Sequence, residues 1–223
     1  MTATSTIGVI GLGSMGLGMA RSLLRAGLPV WGYDIRDEVR RAFAAEGGLP
    51  VASLGDQAAG SDVLFIVVVN AQQTEALLFG EQGIAARLRP GTVVVACATI
   101  AADAARRIAK RLAEHQVAML DAPISGGAVR AAAGELTIMA SGPAAAVQQC
   151  EAALAAVAAK VYRLGDEAGQ GSQIKLVNQL LAGVHIAAAA EAMAYGIRQG
   201  CDPKALYDCL LYTSDAADDT PCV

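Results

Sequence analysis

The feature that most constrains this chain is a glycine-rich turn between an apolar strand and a helix. Residues 7–10 are apolar and predict a buried strand, and Gly11-x-Gly13-x-x-Gly16 follows at once. Residues 19–27 continue with helical spacing to a terminal glycine. This order predicts a site for the pyrophosphate of a dinucleotide, because the helix N-terminus offers free N–H donors. A glycine-rich turn in some other βα unit is the alternative.

An acidic residue stands where such a site needs one. Asp34 ends a predicted second strand, 18 residues past Gly16. A carboxylate there accepts hydrogen bonds from the adenosine ribose hydroxyls and repels a 2′-phosphate. At ~4 Å and an effective dielectric of about 20 the repulsion approaches 4 kcal/mol, or roughly three decades in affinity. Arg36 either attracts a 2′-phosphate or is a solvated residue at a helix start. The pattern favours NAD over NADP.

Length, charge and composition exclude several classes of protein. The 223 residues suit one large or two modest domains, and 54% apolar against 17% charged residues predicts a globular chain. The longest uninterrupted apolar run, residues 63–69, is shorter than the ~18 residues of a membrane span. A net charge of −4 without a basic stripe argues against nucleic acid. Five cysteines without metal spacing, and no signal peptide, predict reduced thiols, a cytoplasmic location and no metal site.

The apolar runs predict the fold class. Residues 62–70, 92–97 and 117–121 are β-branched runs separated by helical segments, which is typical of a doubly wound, mainly parallel sheet covered on both faces. Strands at 136–140 and 161–164 are predicted to complete that sheet. Asn70 and Thr99 follow the carboxyl ends of two strands, where open α/β sheets bind ligands. Each either contacts the cofactor or caps the helix after it.

Two further motifs carry chemistry. Ser125-Gly126-Gly127 follows a strand, and successive backbone N–H groups in such a turn suit a carboxylate, unless the turn is merely flexible. A long helix is predicted from near residue 172 toward residue 196, with an apolar stripe that packs against a core. Lys175 lies in it beside Asn178 and Gln179, at helical spacings of three and four. An ammonium in so apolar a helix indicates a function, because burying charge is costly.

Residues 11–16, 121–127 and 175–179 together resemble the β-hydroxyacid dehydrogenase family, and the resemblance covers residues 5–208. It implies a Rossmann-type NAD-binding domain over 1–165 and, over 166–208, an interdomain helix with the start of an all-helical domain. It implies that Ser125, Gly126 and Gly127 hold the substrate carboxylate and that Lys175 is the general acid/base. Asn178 would orient substrate and lysine, with Gln179 beside it. The expected cofactor residues are Gly11, Leu12, Gly13, Met15, Gly16, Asp34, Asn70 and Thr99.

The resemblance also implies an activity, the NAD-dependent oxidation of a small hydroxy acid by a homo-oligomer. Residues 176–190 are similar to members that oxidise four-carbon sugar acids at C2. The alternatives are oxidation of 3-hydroxyisobutyrate and reduction of tartronate semialdehyde. Imine reductases resemble the architecture but usually lack the lysine. A non-catalytic dinucleotide-binding module would explain the glycines and Asp34, but neither Ser125-Gly126-Gly127 nor Lys175.

The last segment departs from this pattern. Residues 209–223 show no helical periodicity, contain three acids and no base, and from 209 to 219 resemble a translated sequencing adapter. We expect them to be a non-native tail that replaces further helices of a helical domain. In the family those helices close the active site and form much of the subunit interface.

Overall fold

The computed structural model describes residues 6–51 and 53–213, with the side chains of residues 211–213 excepted. The chain divides into two compact units, Met1–Leu176 and Val177–Val223.

The first unit contains a six-stranded parallel sheet. Its strand order is β3-β2-β1-β4-β5-β6, so the chain winds outward from β1 to one edge and returns to build the other half. This confirms the predicted doubly wound fold, in which ligands bind where the strand order reverses. The strands are β1 Ile7–Ile10, β2 Val30–Tyr33, β3 Leu49–Pro50, β4 Val63–Ile66, β5 Val93–Ala96 and β6 Ala118–Asp121.

Helices cover both faces of this sheet. Along β4, Val63 and Phe65 join the core on one face, whereas Leu64 and Ile66 join the core on the other. A strand buried on both sides has no polar alternation, which is why these strands appear in the sequence as continuous apolar runs. The helices are α1 Ser14–Arg25, α2 Asp37–Ala45, α3 Gly55–Ala59, α4 Ala71–Phe79 and α5 Ala102–Ala113, with a 3₁₀ turn at Ala85–Arg87.

The strands after β6 form a second sheet, so the prediction that they complete the first one was wrong. This three-stranded sheet has the order β7-β8-β9, antiparallel between β7 and β8 and parallel between β8 and β9. Pro123 lies two residues after the end of β6 and lacks the N–H that a continuing ladder needs. The elements are β7 Ile124–Ser125, α6 Gly127–Ala133, β8 Leu136–Ala140, α7 Ala144–Gln149, α8 Glu151–Val157 and β9 Ala158–Arg163.

A 29-residue helix, α9 Gln170–Arg198, begins in the first unit and continues in the second, where α10 Pro203–Thr213 follows. The predicted stripe on α9 is not packed in the described part of the chain: Ile174 is 46% and Val177 64% exposed, and Leu181 and Val184 are each more than half exposed. By length and composition alone α9 could cross a membrane, although the sequence has no uninterrupted apolar run of that length.

The end of the described chain also corrects the sequence analysis. Helix α10 runs to Thr213, so the expected absence of helical structure from residue 209 onward was wrong for its first five residues. The remainder of the expected non-native tail, residues 214–223, lies outside the described residues.

Candidate active site

The glycine turn lies between β1 and α1 with the geometry of a phosphate-binding loop. Gly11 has a φ of +93°, and a Cβ on it would lie 2.3 Å from the carbonyl oxygen of Val67. A Cβ on Gly16 would lie 1.8 Å from the Gly11 oxygen, so α1 starts pressed against the turn. Gly13, by contrast, has no heavy atom within 4 Å of the position its Cβ would occupy. The loop is therefore closed on the protein side and open at Gly13, as the approach of a pyrophosphate requires.

Asp34 follows β2 and is tied to the same loop. Its carboxylate accepts hydrogen bonds from the Leu12 amide at 2.9 Å and, through both oxygens, from the Arg36 guanidinium at 2.9 and 3.1 Å. Burial raises the pKa of this carboxyl, but the bonds from Arg36 and Leu12 outweigh it and hold the pKa below its usual range. Asp34 therefore stays ionised at the cleft, and Arg36 is its ion-pair partner.

Two adjoining clefts place the predicted cofactor residues. One, of about 550 Å³, is lined by Gly11, Gly13, Asp34 and Arg36. The other, of about 320 Å³, is lined by Gly13 with Met15, Gly16, Thr99 and Ile124. Both clefts share Gly13 and residues 67–69. A dinucleotide has an adenosine half and a nicotinamide half joined by pyrophosphate, and this pair of clefts joined at Gly13 fits that shape.

The sequence left two roles open for Asn70 and for Thr99, contact with the cofactor or capping of the following helix, and the structure distinguishes them. Asn70 is the N-cap of α4, where its side-chain oxygen accepts a hydrogen bond from the Gln73 amide at 2.9 Å. Strand β4 ends at Ile66, four residues before Asn70, so Asn70 is not at the strand end as the long apolar run suggested. Thr99 lines the second cleft, and the N-cap of α5 is Ala101 instead. The geometry favours capping for Asn70 and the cleft for Thr99.

The Ser125-Gly126-Gly127 turn lies beside the second cleft, because Ile124 lines that cleft. Ser125 ends β7, and Gly126 and Gly127 have φ values of +133° and +74°, which favour glycine. Gly127 begins α6, and this helix packs on α1: the Ser22 hydroxyl donates a hydrogen bond to the Ala131 carbonyl at 3.0 Å. The helix after the cofactor loop therefore supports the helix after the predicted carboxylate loop.

Lys175 lies in the second turn of α9 and is buried, with 5% of its surface exposed. Burial lowers the pKa of its ammonium below the ordinary value of 10.5. The residues that line the two clefts, as far as the structure describes them, do not include Lys175. Its predicted partners, Asn178 and Gln179, follow on the same helix but belong to the second unit, so their roles stay predictions.

Sequence analysis missed the group that joins two of the motifs. Asp121, at the end of β6, is fully buried, and its carboxylate accepts hydrogen bonds from the amides of Gly169 and Ser172, each at 2.9 Å. The Ser172 hydroxyl donates to it at 2.7 Å. The carboxylate that begins the 121–127 motif thus holds the first turn of the Lys175 helix. The only sequence signal was an Asp inside a buried strand, where a lone carboxylate needs a partner.

The sequence of this chain matches two protein-family models. Residues 6–165 match the family model described as the NAD binding domain of 6-phosphogluconate dehydrogenase. Residues 169–217 match the one described as the NAD-binding of NADP-dependent 3-hydroxyisobutyrate dehydrogenase. The chain belongs to the 3-hydroxyisobutyrate dehydrogenase-like family. This confirms the family, the fold and the NAD-dependent dehydrogenase class predicted from the three motifs.

Individual relatives are similar over almost the whole chain. An L-threonate dehydrogenase from Cupriavidus necator is 57% identical over 208 residues, which are 93% of this chain and 70% of that protein. One from Pectobacterium atrosepticum is 48% identical over 93% of this chain and 68% of its own length. A crystal structure of a 3-hydroxyisobutyrate dehydrogenase from Salmonella typhimurium has a TM-score of 0.89 and 47% identity, covering 94% of this chain and 73% of that one.

These matches also bear on the apolar helix. Helix α9 lies within residues 169–217, which a dehydrogenase family model matches as a unit. Its apolar composition is therefore a property of a dehydrogenase domain in this family. The family match extends over α10 as well, to residue 217.

Proposed function

We propose that this chain oxidises a four-carbon sugar acid, L-threonate, at C2, with NAD as the hydride acceptor and Lys175 as the general base. The observation that carries the proposal is the burial of Lys175. The first turn of its helix donates hydrogen bonds to the carboxylate of Asp121, the first residue of the 121–127 motif. A buried amine with a lowered pKa suits proton transfer, because more of it is the free base near neutral pH.

Each residue of the proposed site has its own role in the reaction. The N–H groups of the Ser125-Gly126-Gly127 turn bind the substrate carboxylate, and the positive φ values of Gly126 and Gly127 are ones that glycine adopts without strain. Lys175 takes the hydroxyl proton as the carbinol becomes a carbonyl, and in reduction its ammonium returns that proton. Asn178 orients the substrate and Lys175, with Gln179 beside it. Positioned proton transfer of this kind contributes roughly 10²–10⁴ in rate.

NAD, when bound, supplies the electrophilic ring that accepts the hydride. The open position at Gly13 fits its pyrophosphate, and the ionised Asp34 fits the ribose hydroxyls. Gly11, Leu12 and Gly16 shape the loop, and Met15 and Thr99 line the cleft that would take the nicotinamide half. Because Arg36 neutralises part of the Asp34 charge, we propose a preference for NAD rather than complete exclusion of NADP.

The identity of the acid rests on the relatives. Two L-threonate dehydrogenases are 57% and 48% identical to this chain, which supports L-threonate. A solved structure with 47% identity bears the name 3-hydroxyisobutyrate dehydrogenase, which makes that acid the second candidate. Both acids present a carboxylate and a hydroxyl, so the same turn and the same lysine could serve either one.

A substrate panel tests the proposed function. The chain is incubated with NAD, and separately with NADP, and with L-threonate, D-threonate, erythronate, 3-hydroxyisobutyrate or glycerate, and NAD(P)H formation is followed by absorbance. We expect the highest kcat/KM with L-threonate and NAD. A highest value with 3-hydroxyisobutyrate would support the second candidate. NADH binding without turnover of any of these acids would contradict the enzymatic proposal and favour a dinucleotide-binding module.

The pH dependence of the reaction provides a second prediction. Burial lowers the pKa of Lys175 below 10.5, so the free amine becomes available at lower pH than for a solvated lysine. We expect kcat/KM for oxidation to rise with pH and to level off at an inflection below 10.5. For reduction, which needs the ammonium, we expect the opposite slope through the same pKa. Parallel slopes in the two directions would contradict the assignment of Lys175 as the group that exchanges the proton.

A further inference from the structure

Asp121 is a fully buried carboxylate at the point where the 121–127 motif and the Lys175 helix meet. We infer that Asp121, together with Ser172 and Ser141, is a positioning group for Lys175: it fixes the first turn of α9 and thereby the place of the amine. This inference rests on the proposed function for its meaning in catalysis. The anchoring itself is a property of the fold and can be tested separately.

Residues distant in sequence accept the hydrogen bonds of the N–H groups at the start of α9. A helix begins with four N–H groups that have no partner within the helix. Here the Ser172 amide donates to Asp121 Oδ2 and the Gly171 amide donates to Ser141 Oγ, both at 2.9 Å. The Gly169 amide, just before the helix, donates to the same Oδ2 at 2.9 Å. The cap of α9 is therefore a carboxylate and a hydroxyl from distant strands, not a residue of its own segment.

The groups that accept these hydrogen bonds are themselves held in place. The Ser141 hydroxyl donates to Asp121 Oδ2 at 3.3 Å, and the two residues exchange backbone hydrogen bonds at 2.8 and 2.9 Å. Asp121, Ser141 and Ser172 are each fully buried. A Cβ on Gly171 would lie 2.2 Å from the Met139 carbonyl oxygen, so the helix backbone sits directly on the strand ends. The negative carboxylate also complements the positive end of the helix dipole.

Lys175 lies close to the capped turn along α9. Lys175 lies three residues beyond Ser172, so the two share a helix face and are separated by a rise of about 4.5 Å along the axis. Helical side chains lean toward the N-terminus, so Lys175 covers the turn that Asp121 holds. In sequence Asp121 precedes Ser125 by only four residues. The Asp121 carboxylate thus holds the start of the lysine helix, and Asp121 itself lies just before the predicted carboxylate loop.

The charge of Asp121 could act on Lys175 directly, and Ser172→Ala separates that role from positioning. This variant removes the 2.7 Å hydrogen bond from the Ser172 hydroxyl but leaves the carboxylate in place. Ser61→Ala is the matched control. Ser61 is equally buried, and its hydroxyl donates to the Gln57 carbonyl and accepts from the Trp31 indole, each at 2.9 Å, at the other end of the sheet.

The readout that does not depend on activity is chemical labelling of Lys175. The full chain is treated with a small amine-acylating reagent, and the modification of each lysine is quantified by peptide mass spectrometry, with the exposed Lys110 as internal standard. In the unmodified protein we expect Lys175 to be protected. In Ser172→Ala we expect its labelling to rise several-fold relative to Lys110, whereas in Ser61→Ala we expect it to stay protected; the thermal stability of both variants is measured alongside.

The kinetic readout is the division between kcat and KM. We expect kcat of Ser172→Ala to fall about tenfold or more with KM for NAD unchanged, because a displacement of about 1 Å in a reacting group can cost up to 10²-fold. Ser141→Ala, which removes the acceptor for the Gly171 amide, should behave in the same way and serves if Ser172→Ala does not fold. Equal Lys175 labelling in the Ser172 or Ser141 variant and in Ser61→Ala would overturn the inference.

The two proposals fail in different ways. If the chain turns over no hydroxy acid but the Ser172 variant still exposes Lys175, the proposed function is wrong and the anchoring inference stands. If the chain is an active dehydrogenase and Lys175 stays protected in both the Ser172 and the Ser141 variant, the anchoring inference is wrong and the proposed function stands.

Discussion

Lys175→Ala is expected to lower kcat for hydroxy-acid oxidation by about 10²–10⁴-fold, because it removes the only group proposed to take the hydroxyl proton. NADH should bind this variant as it binds the unmodified chain, since none of the residues that line the two clefts is changed. Binding can be measured by energy transfer from Trp31, the single tryptophan of the chain, which is buried in β2. The expected result is thus a loss of turnover without a loss of cofactor affinity.

Lys110→Ala is the matched control for this prediction. Lys110 is an exposed lysine near the end of α5, so its removal deletes the same charge and the same side chain at a solvated position. We expect its kcat and its NADH affinity to equal those of the unmodified chain. If Lys175→Ala kept a kcat within threefold of Lys110→Ala, the general base would have to be another residue.

The parallel sheet could be predicted from the sequence because its signal is local. Strands such as β4 and β5 consist of consecutive buried apolar residues, and the glycine turn after β1 fixes how the first helix leaves the sheet. The length of β4 was overestimated, because Val67–Val69 continue the apolar run beyond the last ladder residue, Ile66. Hydrophobicity alone does not distinguish a strand from the cleft wall that follows it.

The second sheet could not be predicted because its pairing is non-local. Residues 136–140 have the composition of a sheet strand, and nothing within the segment shows which strands it pairs with. The antiparallel partner of β8 is a strand of only two residues, Ile124–Ser125, next to a proline. The change of the chain from the first sheet to the second therefore depends on the exchange of backbone hydrogen bonds between Asp121 and Ser141, 20 residues apart.

In the candidate site, too, contacts within one stretch of sequence could be predicted, whereas contacts between distant segments could not. The glycine loop and Asp34 lie within one βαβ unit, and the structure brings them together as their spacing predicts. The anchoring of Lys175 depends on Asp121, Ser141 and Ser172, which come from three separate segments. Serines carry no periodic signal, so this cluster becomes visible only once the fold places the three residues together.

The supporting contacts explain why the loops lie side by side. Helix α1 continues from the glycine loop, and α6 continues from the Ser125-Gly126-Gly127 turn. The Ser22 hydroxyl and the Arg25 guanidinium of α1 both donate hydrogen bonds to carbonyls at the end of α6, those of Ala131 and Ala132. A displacement of either helix would therefore move the cofactor loop relative to the predicted carboxylate loop.

Gly13→Ala is expected to separate cofactor binding from folding. A Cβ at this position meets no protein atom within 4 Å, and the φ of −66° suits alanine. Thermal stability should therefore be unchanged or slightly higher, because alanine restricts the unfolded chain by about 0.4–1 kcal/mol. The new methyl group occupies the space through which the pyrophosphate approaches. A cost of about 1–3 kcal/mol for such crowding corresponds to a loss of NADH affinity of about 5–150-fold.

Two further glycine variants complete this test. Gly60→Ala, whose Cβ would have only ordinary contacts at 3.9 Å before the start of β4, should leave NADH affinity unchanged and, like Gly13→Ala, leave stability unchanged or slightly higher. Gly16→Ala should lower both, because its Cβ would lie 1.8 Å from the Gly11 oxygen. Affinity is measured by NADH titration and stability by thermal unfolding of the same samples. A methyl group in the path of the dinucleotide would weaken its binding. Unaltered NADH affinity in Gly13→Ala would therefore show that the dinucleotide does not cross the loop at Gly13.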